Sequence, residues 1–253
     1  MQQNNREAIR QILIFNQEGM DEFASYAKKA IEDVMNCFPD YKDRFPIKIV
    51  GNWKSGNYRT YENGKFNLTP YESIDWYIEQ AKKKAIEEGR WEPTKQINVD
   101  EMCHCLLLDP YFRKIPQFGI YLTKYDLYSS NASNYCLGQT VPGRYSIIST
   151  NRFWNETKFD VDNFKTVIQH EFGHILLFTN GDRPNVKEVL GPHCTVPYCI
   201  MQQRMNGDMS DITKRRIARK LKGFPPMCPD CAKQGLSTLD KVYEIYKKKL
   251  GGR

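Results

Sequence analysis

The sequence predicts an α+β fold: a mixed β-sheet with a backing helix and a second, central helix, then a smaller, irregular C-terminal part ending in a helix. Three observations carry this. Strand-length apolar runs alternate with stretches of helical spacing between Gln11 and Arg152. One long helical pattern follows Asp160. From Gly181 onward the pattern breaks, with Pro184, Pro192, Pro197, Pro225, Pro226 and Pro229 spread along the chain.

The elements follow in order. Gln11–Gln17 (QILIFNQ) has the length and apolar content of a strand. From Asp21, residues Phe23, Ala27, Ala30, Val34 and Met35 fall near helical spacing, and Pro46–Gly51 is a second strand. Gly51–Leu68 is polar, with three Gly, and reads as a loop. Thr69-Pro70-Tyr71-Glu72 is a capping box with proline at the first helical position. The helix it opens places Ile74, Tyr77, Ile78, Ala81 and Ala85 on one face and stops at Gly89. Asn98–Glu101 repeats the signature before a shorter helix through Leu108. Phe118–Tyr128 and Tyr135–Arg152 alternate as strands do, with Pro142-Gly143 as a turn. Asp160 caps a helix from Val161 to about Phe178, stopped by Asn180-Gly181. A basic helical stretch covers Ser210–Leu221. Ser237–Asp240 opens the last helix, which turns Leu239, Val242, Tyr243 and Tyr246 inward.

Size and composition narrow the function classes. With 253 residues, 40% of them hydrophobic, the chain buries a core without needing a metal or disulfide merely to stay folded. A net charge of +7 tolerates an anionic partner but does not demand one. No run of about 18 apolar residues is present, so no membrane partner is expected. The start MQQNNREAIRQ has no apolar h-region, and a cytoplasmic location is expected.

Chemistry is concentrated between positions 170 and 231. The chain has only four His, and three of them, His170, His174 and His193, lie there. His170-Glu171-Phe172-Gly173-His174 is H-E-x-x-H inside a helix. Histidines four apart sit about 40° apart around the axis and one turn apart along it, so both imidazoles reach one metal. Glu171 projects from the same turn and is the candidate general base. The stripe Val161, Phe164, Ile168, Phe172 and Ile175 faces roughly 140° away, which predicts a helix with one face on the sheet and the other on a cleft. A catalytic zinc needs a third protein ligand. His193 is the expected one. His104, between Cys103 and Cys105 on the short helix, reads as an ordinary residue.

Four of the eight Cys stand beside this motif as Cys194-x4-Cys199 and Cys228-x2-Cys231. In a reducing compartment such paired thiols form a tetrahedral structural zinc site, with disulfides the competing reading. Cys37, Cys103, Cys105 and Cys136 read as buried thiols. Two zinc ions are therefore expected, one catalytic and one structural.

These motifs in this order resemble the archaemetzincins, a branch of the metzincin zinc peptidases, whose signature is similar to HExxHxxGxxHCx4CxM followed by CxxC. Upstream, Gly119–Tyr128, Leu137-Gly138 and Ser146–Arg152 resemble that family's strand-rich approach to the active-site helix. The resemblance is specific over 118–231. It implies a zincin/metzincin-like fold and a zinc-dependent peptidase hydrolysing peptide bonds in a peptide or protein substrate. It implies His170, His174 and His193 on the catalytic zinc, Glu171 as general base, and Met201 as the Met-turn beneath the metal. It also implies Cys194, Cys199, Cys228 and Cys231 on the second zinc. Read alone, Met201 is a core methionine.

The expected organisation is an upper subdomain over 1–178, with the sheet and active-site helix, and a lower one over 179–253, with the third ligand, the Met-turn, the four-cysteine site and the terminal helix. One departure from the family is plain. Eighteen residues separate His174 from His193, where the metzincin motif has about five. The extra residues, roughly Thr179–Leu190, are expected to bulge beside the cleft as a loop or one short helical turn, either as a wall or lid that restricts substrate access or as a tolerated surface loop. The competing function is a zinc-stabilised nucleic-acid- or protein-binding module without hydrolytic activity. It draws on Lys214, Arg215, Arg216, Arg219, Lys220 and Lys222 beside the cysteines. That run also fits a solvated helix face, and a binding module gives Glu171 no task, so nucleic acid is not the expected partner.

Overall fold

The computed structural model describes residues 11–52, 59–62, 65–68, 73–108, 117–130, 133–177, 183–188, 191–203 and 209–251. In chain order its strands are β1 (Gln11–Asn16), β2 (Ile47–Gly51), β3 (Arg59–Glu62), β4 (Lys65–Leu68), β5 (Gln96–Asn98), β6 (Gln117–Thr123) and β7 (Asp126–Ser129). They continue with β8 (Ser133–Cys136), β9 (Gly138–Val141), β10 (Tyr145–Ser149), β11 (Trp154–Asn155), β12 (Lys158–Phe159), β13 (Val186–Glu188) and β14 (Pro192–Cys194). The principal helices are α1 (Asp21–Met35), α2 (Ile74–Glu87), α3 (Val99–Leu108), α4 (Val161–Leu176), α5 (Ser210–Leu221) and α6 (Pro229–Gly251).

The central sheet has the order β2-β1-β6-β10-β9. Its first four strands run parallel, and β9 closes one edge antiparallel to β10. Side chains alternate across it as the strand period requires. Ile12, Ile14, Phe118, Ile120, Leu122 and Ile148 face α1 and α4 in one buried cluster. Phe15, Tyr121, Tyr145 and Ile147 face α2 and α3 in another. With both faces covered, the strands read as near-continuous apolar runs. Three side chains set helix starts. Ser73 accepts from Trp76 N, Asn98 accepts from Glu101 N at 2.9 Å, and Asp160 accepts from Asn163 N at 3.0 Å. The α2 cap is thus Ser73, while the capping box at Thr69–Glu72 lies outside the described residues, as do Phe178, Asn180 and Gly181 at the α4 stop.

Four sequence expectations need correction. The polar stretch 51–68 contains two short strands, β3 and β4, paired antiparallel with Tyr61 opposite Phe66. The last helix begins at Pro229, eight residues before Ser237. Proline suits a first helical turn, and Ala232 N bonds to Cys228 O. The segment between His174 and His193 is neither a plain loop nor a helical turn where it is described. Val186–Glu188 pairs antiparallel with Pro192–Cys194, Lys187 opposite His193 and Val186 opposite Cys194. Finally, α4 buries more than its apolar stripe. Thr166, Val167, Gln169, His170 and Gly173 are buried together with the apolar stripe from Phe164 on, because the C-terminal segment packs under the helix.

That segment joins the main core through Cys199, Ile200, Met201, Met227, Leu239 and Val242. Helix α6 comes so close to Phe38 that a Cβ on Gly235 would lie 2.7 Å from the Phe38 ring. Phe38 is itself buried and cannot swing away. Gly235→Ala should therefore destabilise the protein by about 1–3 kcal/mol, read as a lower urea midpoint with an unchanged slope.

Candidate metal centre

The second half of α4 carries His170 and His174 on successive turns, and β14 brings His193 against them. Nε2 of His174 lies 3.1 Å from Nε2 of His170 and 3.1 Å from Nε2 of His193. The rings of His170 and His193 are near-parallel at 12°, with His174 edge-on to both. Two nitrogens each about 2.0–2.1 Å from a tetrahedral ion stand about 3.3 Å apart, so this triangle fits a metal held by three imidazoles. Backbone carbonyls set the ring orientation. Nδ1 of His170 meets Ile200 O at 2.7 Å, and Nδ1 of His193 meets Gly191 O at 2.9 Å. With Nδ1–H donating there, each Nε2 keeps its lone pair for a cation. His104 stands exposed on α3, away from this group.

Glu171 is half-buried on the same turn. The Thr140 hydroxyl on edge strand β9 donates to its carboxylate, and Ser146 Oγ lies 2.7 Å from Thr140 Oγ1. The strand reaches this close because residue 138 is glycine. A Cβ there would lie 3.0 Å from Ile147 O and 3.1 Å from Glu171 Cγ. Burial pushes the Glu171 carboxyl up, opposed by the Thr140 hydrogen bond and by His193.

Met201 lies beneath the helix. A Cβ on Gly173 would stand 2.1 Å from Met201 Sδ, so the fourth residue of the H-E-F-G-H run must be glycine for the methionine to fit. Cys194 N bonds to Met201 O at 2.9 Å and Ile200 N to Pro226 O at 3.2 Å, tying 194–201 into a closed turn. Cys194, Cys199, Cys228 and Cys231 gather behind it, all buried, their sulfurs within 4.8 Å of one another. Cys194 Sγ and Cys228 Sγ are 3.7 Å apart. Sulfurs about 2.3 Å from one tetrahedral ion stand about 3.8 Å apart, whereas a disulfide needs about 2.05 Å. All eight cysteines are free thiols. Burial pushes Cys105 and Cys136 up to about 12, in keeping with inert interior thiols.

Among solved structures the chain is similar to an archaemetzincin from Methanopyrus kandleri, with a TM-score of 0.55 and 15% identity over 94% of this chain and 99% of that one. The fold is archaemetzincin-like. Lower similarity extends to a zinc-dependent peptidase from Methanocorpusculum labreanum (TM-score 0.44, 16% identity, 88% of this chain and 99% of that one). It extends also to an archaemetzincin from Archaeoglobus fulgidus complexed with malonate (TM-score 0.41, 15% identity, 88% and 99%). No family model and no curated protein matches the chain.

Within this archaemetzincin-like fold the structure brings together all seven His and Cys residues that the motifs single out, in a three-histidine and a four-cysteine group. Sequence reasoning did not point to Thr140 or Ser146, which lie 31 and 25 residues from Glu171 and carry no motif. It also passed over Arg183 and Asn185, which touch the thiols. Gly173 did leave a signal, a glycine inside a helical pattern, which marks a close approach.

Four of the basic residues on helix α5 have partners within the protein. Arg216 is buried against Asp162 at 3.0 Å, Lys220 pairs with Asp33 at 2.8 Å, and Arg219 lies 4.1 Å over the Tyr198 ring. Arg215 donates to Pro197 O and approaches Asp211. Among the described residues no helix is long and apolar enough to cross a membrane.

Two outcomes follow from this packing. Gly173→Ala should displace Met201 and cost about 1–3 kcal/mol, and adding Met201→Ala should cost less than the sum of the two single changes. Strictly additive losses in urea unfolding would show that the contact is slack. The second concerns pH. Burial lowers His170, and burial together with the charges of His170, His193 and Arg183 lowers His174 well below the usual range. The unfolded chain therefore takes up protons first as pH falls through about 6.5, and the metal-free protein should lose stability below that pH. His174→Leu should flatten this dependence between pH 7.5 and 5.5.

Proposed function

We propose that the chain is a zinc-dependent metallopeptidase of the archaemetzincin kind, holding one catalytic and one structural zinc. The observation that carries this is the convergence of three imidazoles, His174 Nε2 on α4 lying 3.1 Å from Nε2 of His170 on the same helix and 3.1 Å from Nε2 of His193 on β14, with a carboxylate on the helix beside them, in an archaemetzincin-like fold. In this reading His170, His174 and His193 hold the catalytic ion. Cys194, Cys199, Cys228 and Cys231 hold the structural one, and Met201 is the floor of the first site. Bound there, zinc supplies Lewis acidity toward a carbonyl and lowers the pKa of water.

The remaining steps belong to side chains. Glu171 takes the proton of the attacking water and passes it to the leaving amine, its carboxylate aimed by Thr140. Burial sets Glu171 above the ordinary carboxylate range, a direction that suits a base working near neutrality. Strand β9 lies at the sheet edge directly above Glu171, so an extended peptide or protein substrate adds along it by backbone pairing. The lobe from 179 onward supplies the third ligand and the floor, and the lobe up to 178 supplies the edge strand and the helix. The binding-module reading has less support because Arg216 is buried against Asp162, while Arg215 and Arg219 engage Pro197 O and the Tyr198 ring.

Glu171→Ala should keep two zinc ions per chain by elemental analysis while peptide hydrolysis falls by at least about 100-fold. An unchanged rate overturns the mechanism. One zinc in wild type overturns the two-site assignment. His170→Ala should lose only the ion that chelators extract readily, since a three-histidine site keeps an open position.

A further inference from the structure

Two side chains of the inserted segment reach into the four-cysteine group. Arg183 Nη1 lies 3.0 Å from Cys231 Sγ. Asn185 Nδ2 lies 3.4 Å from Cys194 Sγ, 3.3 Å from Cys228 Sγ and 3.2 Å from Asp230 Oδ2. A guanidinium and an amide NH2 only donate, so the sulfurs are the acceptors. Two backbone groups complete the set. Val196 N lies 3.4 Å from Cys194 Sγ, and Cys228 N lies 3.4 Å from Cys199 Sγ. Every one of the four sulfurs thus faces an N–H donor.

That pattern suits thiolates better than thiols. A divalent ion with four thiolates carries a net charge of about −2, and these cysteines are almost wholly shielded from water. A buried charge of that size needs a counter-charge and hydrogen bonds. Arg183 is the cation in direct contact. Helix α6 starts at Pro229 between Cys228 and Cys231, so its N-terminal end, worth about half a positive charge, meets the same sulfurs. Asn185 is anchored in turn by its own backbone, with Thr195 N donating to Asn185 O at 2.8 Å, and β13 follows at once, paired with the strand of His193 and Cys194.

We infer that the segment 183–188 is the outer shell of the four-cysteine metal site: Arg183 supplies a counter-charge at Cys231 and Asn185 the amide donors at Cys194 and Cys228 that favour binding as thiolates. The segment is thus a clamp on the second site. The inference rests on reading the four thiols as a metal site, and the test separates the two.

Cobalt(II) titrated into the metal-free full-length chain reports thiolate ligation through its sulfur-to-metal charge-transfer band, independently of any hydrolysis. Arg183→Gln and Asn185→Ala should each weaken cobalt binding at that band by roughly 10- to 100-fold, as loss of an outer-shell partner does. Arg183→Lys should recover part of the loss by restoring the charge. Arg183 is half-exposed, so its replacement leaves the core intact, and an unchanged circular dichroism spectrum checks this. Affinities equal to wild type in both Arg183→Gln and Asn185→Ala overturn the inference. If wild type shows no charge-transfer band at all, the metal-site reading fails first and the clamp falls with it.

Discussion

Three imidazole nitrogens pointed at one another inside a protein repel unless a cation lies between them, and the surrounding structure exists to hold them there. Two of the rings are oriented from behind. Ile200 O takes the outer N–H of His170, and Gly191 O takes that of His193. Neither carbonyl belongs to α4. Both come from the C-terminal segment, so the three-histidine group is complete only with that segment packed beneath the helix.

Docking depends on two close fits. The absence of a side chain at Gly173 admits Met201, which brings Ile200 within reach of His170. Behind it, the four cysteines gather the end of β14, two loop positions and the start of α6 into one point. Cys194 follows His193 directly, so whatever fixes the thiol cluster also fixes the third imidazole. The inserted segment, paired with this strand and in contact with three of the sulfurs, belongs to the same unit.

On the sheet side the geometry is set by β9. Among the described residues it is the one antiparallel strand of the central sheet and lies at its edge. Gly138 lets it approach Glu171, and Thr140, two residues along, presents its hydroxyl to the carboxylate. The β9–β10 turn adds a tie of its own, with Gly143 N donating to Ile175 O at 3.2 Å near the end of α4. Edge strand and helix are thus registered to each other at both ends of the carboxylate's surroundings.

Local chemistry was readable from the sequence wherever it repeats at short range. The spacing of His170 and His174 follows from the helical period, the Asp160 cap from a side chain three residues before its partner, and the Cys228–Cys231 pair from one turn of chain. Order along the chain was enough to single out His193 and the two cysteine pairs, because few other ligand-type residues were available. What the sequence could not determine is which distant residues meet. Thr140 and Glu171, Gly173 and Met201, and Arg183 and Cys231 are brought together by sheet order and by a hairpin whose strands carry no strong local signal. Such contacts depend on how layers dock. A side chain's periodicity fixes the face it occupies, and only the packed tertiary structure decides what lies across from it.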